Sequence, residues 1–226
     1  MSGEGPPVGE ERSLELIDEL SRDLAPVQQI PRLRTVLTVL VGLWFLVAVV
    51  GVGMLGLRPD LSDILMSQRG ALAVFAGLVL AGGGGLVGAV AMGVPGRERL
   101  ARVALMTGLV GMVLAAGVGT LLFLNSPAAS LRTPYAFDLR CLAIACVVAS
   151  LPATGVIWFA GRAAPNRPLV LVLAAAAGTA ALGAVTAQAS CPGDYRHLLM
   201  GHVFAPAVGT LVLSLPLLIA LKRIGR

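Results

Sequence analysis

Six stretches of this sequence contain no Asp, Glu, Lys or Arg, and they fall at about 35–57, 71–94, 103–124, 141–161, 169–190 and 198–221. A helix rises 1.5 Å per residue, so about 20 apolar residues cross the ~30 Å hydrocarbon core of a bilayer. Inside lipid each backbone N–H and C=O must find its partner within the structure, which makes these runs helices rather than open strands. The third charge-free run continues to 131, but Asn125-Ser126-Pro127 reads as a helix exit. The predicted fold is therefore an all-α integral membrane protein. Six transmembrane helices occupy 35–221, a polar segment 1–34 precedes them and a short basic tail 222–226 follows.

Charge and composition agree with this reading. Charged residues make up 13% of the chain, about half the share of an average soluble domain. The 28 glycines suit helices whose backbones approach closely in lipid. With the N-terminus inside, twelve of the 17 Lys and Arg fall on inner segments: Arg12, Arg22, Arg32, Arg34, Arg97, Arg99, Arg102, Arg162, Arg167, Lys222, Arg223 and Arg226. Only Arg58, Arg69, Arg132, Arg140 and Arg196 fall outside. By the positive-inside rule both termini are expected in the cytoplasm. The formal net charge of +5 is spread over the ends of apolar runs, so no direct nucleic-acid binding is expected. The first 34 residues are polar and acidic and the first apolar run is too long for a signal-peptide core, so no cleaved leader is expected.

No Asp, Glu, Lys or Arg lies deep within any span, although ion-coupled transporters and proton relays usually keep ionisable groups there. The inner connections 97–102 and 162–167 are too short to form a catalytic domain. The bundle reads as a holder or a sensor, not an enzyme. In the second span, the run Ala81-Gly82-Gly83-Gly84-Gly85 with Gly88 places small residues four apart (Gly84, Gly88), a pattern for close helix packing.

The N-terminal segment carries a different pattern. Within about 13–25, Leu16, Leu20 and Leu24 recur every four residues with Leu14 and Ile17 alongside, so one helix face is apolar. Ser13 suits the cap and Glu15 the first turn, and Pro26 stops the helix. Glu15, Asp18, Glu19, Arg22 and Asp23 fill the remaining arc. Helices that lie on membranes are typically basic, whereas acids dominate here. A short amphipathic helix offered to a partner's groove fits better.

On the outer side, Cys141 opens the fourth span, Cys191 closes the fifth, and His197 and His202 begin the sixth. These four residues admit several chemistries. A redox pair can form and break a disulfide in an oxidising compartment. A Cys₂His₂ set can hold zinc, and thiolates can capture Cu(I). A fixed disulfide, or plain packing, would serve structure alone. His197 and His202 are five apart, about 140° round a regular helix, so a shared ligand needs an irregular start to the sixth span. Cys146, deeper in the fourth span, reads as a small buried hydrophobe. Asp138 and Asp194 fit solvated loop charges, or groups that orient a histidine or assist a cation, and Asp60, after Arg58-Pro59, suits the cap of a short helix.

Several pieces resemble one family in order and spacing. They are Leu20-Ser-Arg-Asp-Leu-Ala-Pro-Val27 before the first span, Gly56-Leu-Arg-Pro-Asp-Leu61 after it, and Val94-Pro-Gly-Arg97 after the second. Asp138-Leu-Arg-Cys141 precedes the fourth span, and Cys191 is followed by His197-Leu-Leu-Met-Gly-His202. Together they resemble the six-span bacterial anti-sigma factors related to the negative regulator of sigma F. That resemblance implies an inner-membrane protein that sequesters an extracytoplasmic-function sigma factor through its N-terminal segment and releases it in a stress response. It also implies that Cys141 and Cys191 match paired sensory cysteines, and that His202 matches a histidine usually preceded by Trp, where this chain has Gly201. The competing expectation is a membrane thiol-redox or metal-binding protein centred on the same cysteines.

Overall fold

Each apolar run becomes a helix whose end falls where the sequence offers a charge, a glycine, a proline or a side chain able to close the backbone. The computed structural model describes residues 13, 15–19, 21, 32–127, 135–163, 165–191 and 194–224, without the side chains of 64, 65 and 135–138. No strand occurs among the described residues. The helices are α1 (Leu33–Leu55), α2 (Leu61–Ser67), α3 (Arg69–Met92), α4 (Glu98–Leu124), α5 (Tyr135–Arg162), α6 (Pro168–Ser190), the single turn α7 (Tyr195–His197) and α8 (Ala205–Ile224). A π-helical turn, Leu198–Val203, joins α7 to α8. Six segments are long and apolar enough to cross a membrane, the last being Tyr195–Ile224 taken as one.

The helix ends show why the chain stops where it does. α1 ends at Gly56, whose φ of 84° suits a residue without a Cβ. At the end of α4, Asn125 Nδ2 donates to the Leu121 carbonyl at 2.8 Å and Ser126 Oγ to that of Leu122 at 2.7 Å. These bonds satisfy carbonyls that lack a partner in the last turn. α6 opens with Pro168, where a missing N–H costs nothing.

Small residues set the packing. A Cβ at Gly85 of α3 would lie 2.6 Å from Gly178 Cα of α6, and one at Gly111 of α4 would lie 2.6 Å from the Ala81 nitrogen of α3. The Gly84 and Gly88 pair is a packing contact: Gly84 meets the backbone of Ala104 and Gly108, and Gly88 meets Leu105. α3 thus packs along both α4 and α6, and α6 in turn packs on α5 and α8. The most apolar stretch of α6 is 72% buried, against 6% for α1. α1 is attached through the buried Leu40, which fills the space opposite Gly155, and through Trp44 Nε1, which donates to the Leu182 carbonyl at 3.3 Å.

The chain divides into two units, Met1–Ile30 and Pro31–Arg226. In the first, the described residues 13, 15–19 and 21 are helical, and Leu16 and Ile17 are 57% and 60% exposed. Leu14, Leu20 and Leu24 of the apolar stripe lie outside the described residues.

Candidate functional site: a buried cysteine and histidine cluster

Three helix termini build the site. Cys141 lies near the start of α5, Cys191 is the residue that caps the end of α6, and His197 and His202 follow in α7 and the π turn. All four are buried, and one ligand atom from each lies within 4.8 Å of the others. Cys141 and Cys191 stand at disulfide distance, with Cα atoms 6.8 Å apart, inside the range a bridge tolerates. The two imidazoles meet edge to face, with centroids 4.9 Å apart and planes at 86°.

The π turn removes the obstacle that a regular helix poses. Phe204 N–H donates to the Leu199 carbonyl at 3.0 Å, an i→i+5 closure that brings residues five apart onto one side. Pro206 favours this local break, because it has no N–H to give to the His202 carbonyl four residues earlier. π turns inserted in α-helices often occur at functional sites. At the other end, Asp194 fixes the entry: its Oδ1 accepts the His197 backbone N–H at 2.9 Å, so it serves as a helix cap.

Gly201 acquires a reason in this geometry. A Cβ there would sit 2.9 Å from His197 Cε1 and 3.1 Å from its Nδ1. The His197 ring occupies the space that any side chain at 201 would need, so the absence of Trp at this position leaves no hole. That residue belongs to the site, and sequence reasoning saw only a mismatch.

Arg58 is a second residue that sequence reasoning missed. It was legible only as part of a turn, yet it is 8% exposed and its backbone N–H donates to the Ala189 carbonyl at 3.1 Å, two residues before Cys191. Its guanidinium holds the Asp60 carboxylate through two bonds of 2.8 and 2.9 Å. Asp60 is therefore engaged by Arg58 just ahead of α2, and this bond holds its carboxyl below the usual carboxylate range.

The donor set suits a soft or borderline cation. Two thiols and two imidazoles are the ligands of tetrahedral zinc sites, and thiolates favour Cu(I). Both ring nitrogens of His202 are buried without a hydrogen bond among the described residues; the Ala184 carbonyl bears on the ring but lies outside hydrogen-bonding geometry. Buried polar groups without partners are rare in folded proteins. Cys146 takes no part: it is half-buried and packs towards Gly209 of α8. The Asp138 side chain lies outside the described residues.

A six-helix bundle of membrane-crossing length, with a Cys₂His₂ cluster buried at one end, defines the class. The family model described as negative regulator of sigma F (NrsF) matches residues 20–212, most of the chain, and the protein belongs to that family. No curated protein and no solved structure matches it.

Proposed function

We propose that this protein is an anti-sigma factor of the bacterial inner membrane, which holds an extracytoplasmic-function sigma factor through its N-terminal segment and releases it on an envelope signal. Membership of the NrsF family is the observation that carries the regulatory role. The bias of Lys and Arg supports cytoplasmic termini, which puts the segment beside the transcription machinery and the cluster on the envelope side. Leu16 and Ile17 are exposed within their own unit, as a stripe awaiting a partner's groove requires. With Leu14, Leu20 and Leu24 they form the binding face. The protein acts by binding and signalling, without catalysis.

The cluster supports the sensing role because its chemistry is bistable. Oxidised, Cys141 and Cys191 tie the start of α5 to the end of α6. A thiol reductant would add two electrons and two protons, and the two thiols would then be free to separate. Arg58 offers a connection onward: it joins the outer end of α1, which leads to the N-terminal segment, to Ala189 beside Cys191. A coupling of about 1–3 kcal/mol between the cluster and the segment changes occupancy about 5–150-fold, enough for a transcriptional switch. The experiment is a reporter for the sigma factor in cells carrying Cys141→Ser or Cys191→Ser. Constitutive or lost induction is expected from either; normal induction in both removes the sensor role.

A second reading is favoured by the unpartnered nitrogens of His202 and the close grouping of the four donors. In that reading the protein is a membrane thiol-redox or metal-binding protein holding zinc or copper on Cys141, Cys191, His197 and His202. Disulfide and metal exclude each other, since the same sulfurs serve both. Metal uptake by the purified chain that survives removal of residues 1–30, with no sigma factor bound to the full chain, would favour it.

A further inference from the structure

At the end of the bundle opposite the cluster, the loops joining α3 to α4 and α5 to α6 frame a cavity of about 630 Å³. Arg102 of α4 and Arg167 at the start of α6 line it together with Asn166 and Glu98. Neither arginine has an ion-pair partner among the described residues. Glu98 is turned to the backbone, accepting the Gly96 N–H at 3.2 Å. The rest of the wall is apolar, including Ala91, Leu105 and Val170.

Leu105 also lines a second, almost wholly apolar cavity of about 290 Å³, which lies between α4, α6 and α8, over Ala81 and Gly85 of α3 and as far as Met112. The small residues on α3 and α6 that allow close packing also leave this trough. From Arg102 to Met112 along α4 is about 15 Å, half of a ~30 Å hydrocarbon core and so the depth of one leaflet. A cationic mouth at the bilayer edge with an apolar trough one leaflet deep matches a molecule with an anionic head and a long acyl chain. Basic pockets between membrane helices on the cytoplasmic side are known to hold anionic headgroups. An acidic peptide would satisfy the arginines and leave the trough uncovered.

We infer that this groove is a binding site for an anionic glycerophospholipid, its phosphate between Arg102 and Arg167 and one acyl chain lying against Leu105 and Gly85. The inference rests on the membrane placement proposed above and not on sigma-factor binding. The site selects by headgroup charge at its mouth and by chain at its floor.

The test uses the full chain extracted from its membrane, stripped of lipid in mild detergent, and offered phosphatidylglycerol and phosphatidylcholine with identical acyl chains. Native mass spectrometry reads the retained lipid. Phosphatidylglycerol should be retained in preference, and the Arg102→Gln, Arg167→Gln double variant should lose that preference about 30-fold, from roughly fivefold per guanidinium. Arg223→Gln, which removes a charge away from the groove, should keep it. Ala177→Phe, which fills the trough, should lower retention of both lipids, and excess inorganic phosphate should displace neither. Lipid-free melting of each variant separates misfolding from lost binding. Equal retention of the two lipids by the wild type, or unchanged preference in the double variant, overturns the inference. So does displacement by inorganic phosphate with no effect of Ala177→Phe, which would assign the arginines to free phosphate. A chain recovered in the soluble fraction would instead overturn the membrane placement.

Discussion

α1 and α6 are both charge-free runs long enough to cross a bilayer, yet 72% of the apolar stretch of α6 is buried and only 6% of that of α1. The difference lies in side-chain size. α6 is built largely from Ala, Gly and Thr, so α3, α5 and α8 close in on every side of it. α1 presents Val39, Phe45, Leu46 and Val49, all more than half exposed, as a helix facing lipid does. Hydropathy makes both apolar enough to cross a membrane; only residue size tells a hub from a peripheral helix. The hub ends at Cys191, and the peripheral span leads to the N-terminal segment. The cluster therefore sits at the end of the most enclosed helix, and the N-terminal segment is joined to the least enclosed one.

The largest effect expected from this contrast comes from enlarging a hub contact. A Cβ at Gly178 would lie 2.7 Å from the Leu86 nitrogen and 2.8 Å from the Gly85 carbonyl carbon, both backbone atoms that cannot swing aside. Gly178→Leu should cost more than about 3 kcal/mol and lower Tm sharply in detergent; a normal melt would mean that α3 and α6 are not so close. Next, Cys141→Ser or Cys191→Ser should lower stability by about 2–4 kcal/mol under oxidising conditions, and a reducing agent should abolish the difference from wild type. A loss that persists in reductant would point to packing or metal rather than to the bridge.

A smaller effect concerns the latch beyond the Gly56 end of α1. Arg58 holds the half-exposed Asp60 carboxyl below its usual range. Because the folded pKa is depressed, its stabilisation is present above a pH of about 4 and is lost as pH falls through the folded value. Asp60→Asn should therefore flatten the acid limb of the stability profile, by at most about 1 kcal/mol given the exposure. An unchanged acid limb would remove the latch. The smallest effect belongs to the exposed side of α1: Val49→Ala should change the stability by less than about 0.5 kcal/mol. A large loss there would show that α1 has a partner its exposure does not reveal.

Much of this organisation was legible in the residues. Charge-free runs gave the six helices, Asn125-Ser126-Pro127 gave the end of α4, and the family resemblance rested on short pieces in the right order. The spacing of His197 and His202 called for an irregular start to the sixth span, and the π turn supplies it; the kind of irregularity was not legible, because residues five apart diverge on an α-helix. Pro206 was the available signal. The role of Gly201 was not legible, since it depends on where the His197 ring lies, a tertiary fact. Nor was Arg58: a buried arginine in a turn looks like any loop charge until its backbone is seen bonded to Ala189. The sequence pattern also could not rank the spans by burial, for hydropathy is highest in the helix that is least enclosed.

The central claim is that the N-terminal stripe holds the sigma factor, and co-purification tests it most directly. The full chain, extracted from membranes with its partner bound, should retain the sigma factor. With Leu16→Asp and Ile17→Asp together, retention should fall by about 30-fold or more, the usual loss for a buried interface anchor, while the melt of the bundle stays unchanged. Undiminished retention by that variant would contradict the account.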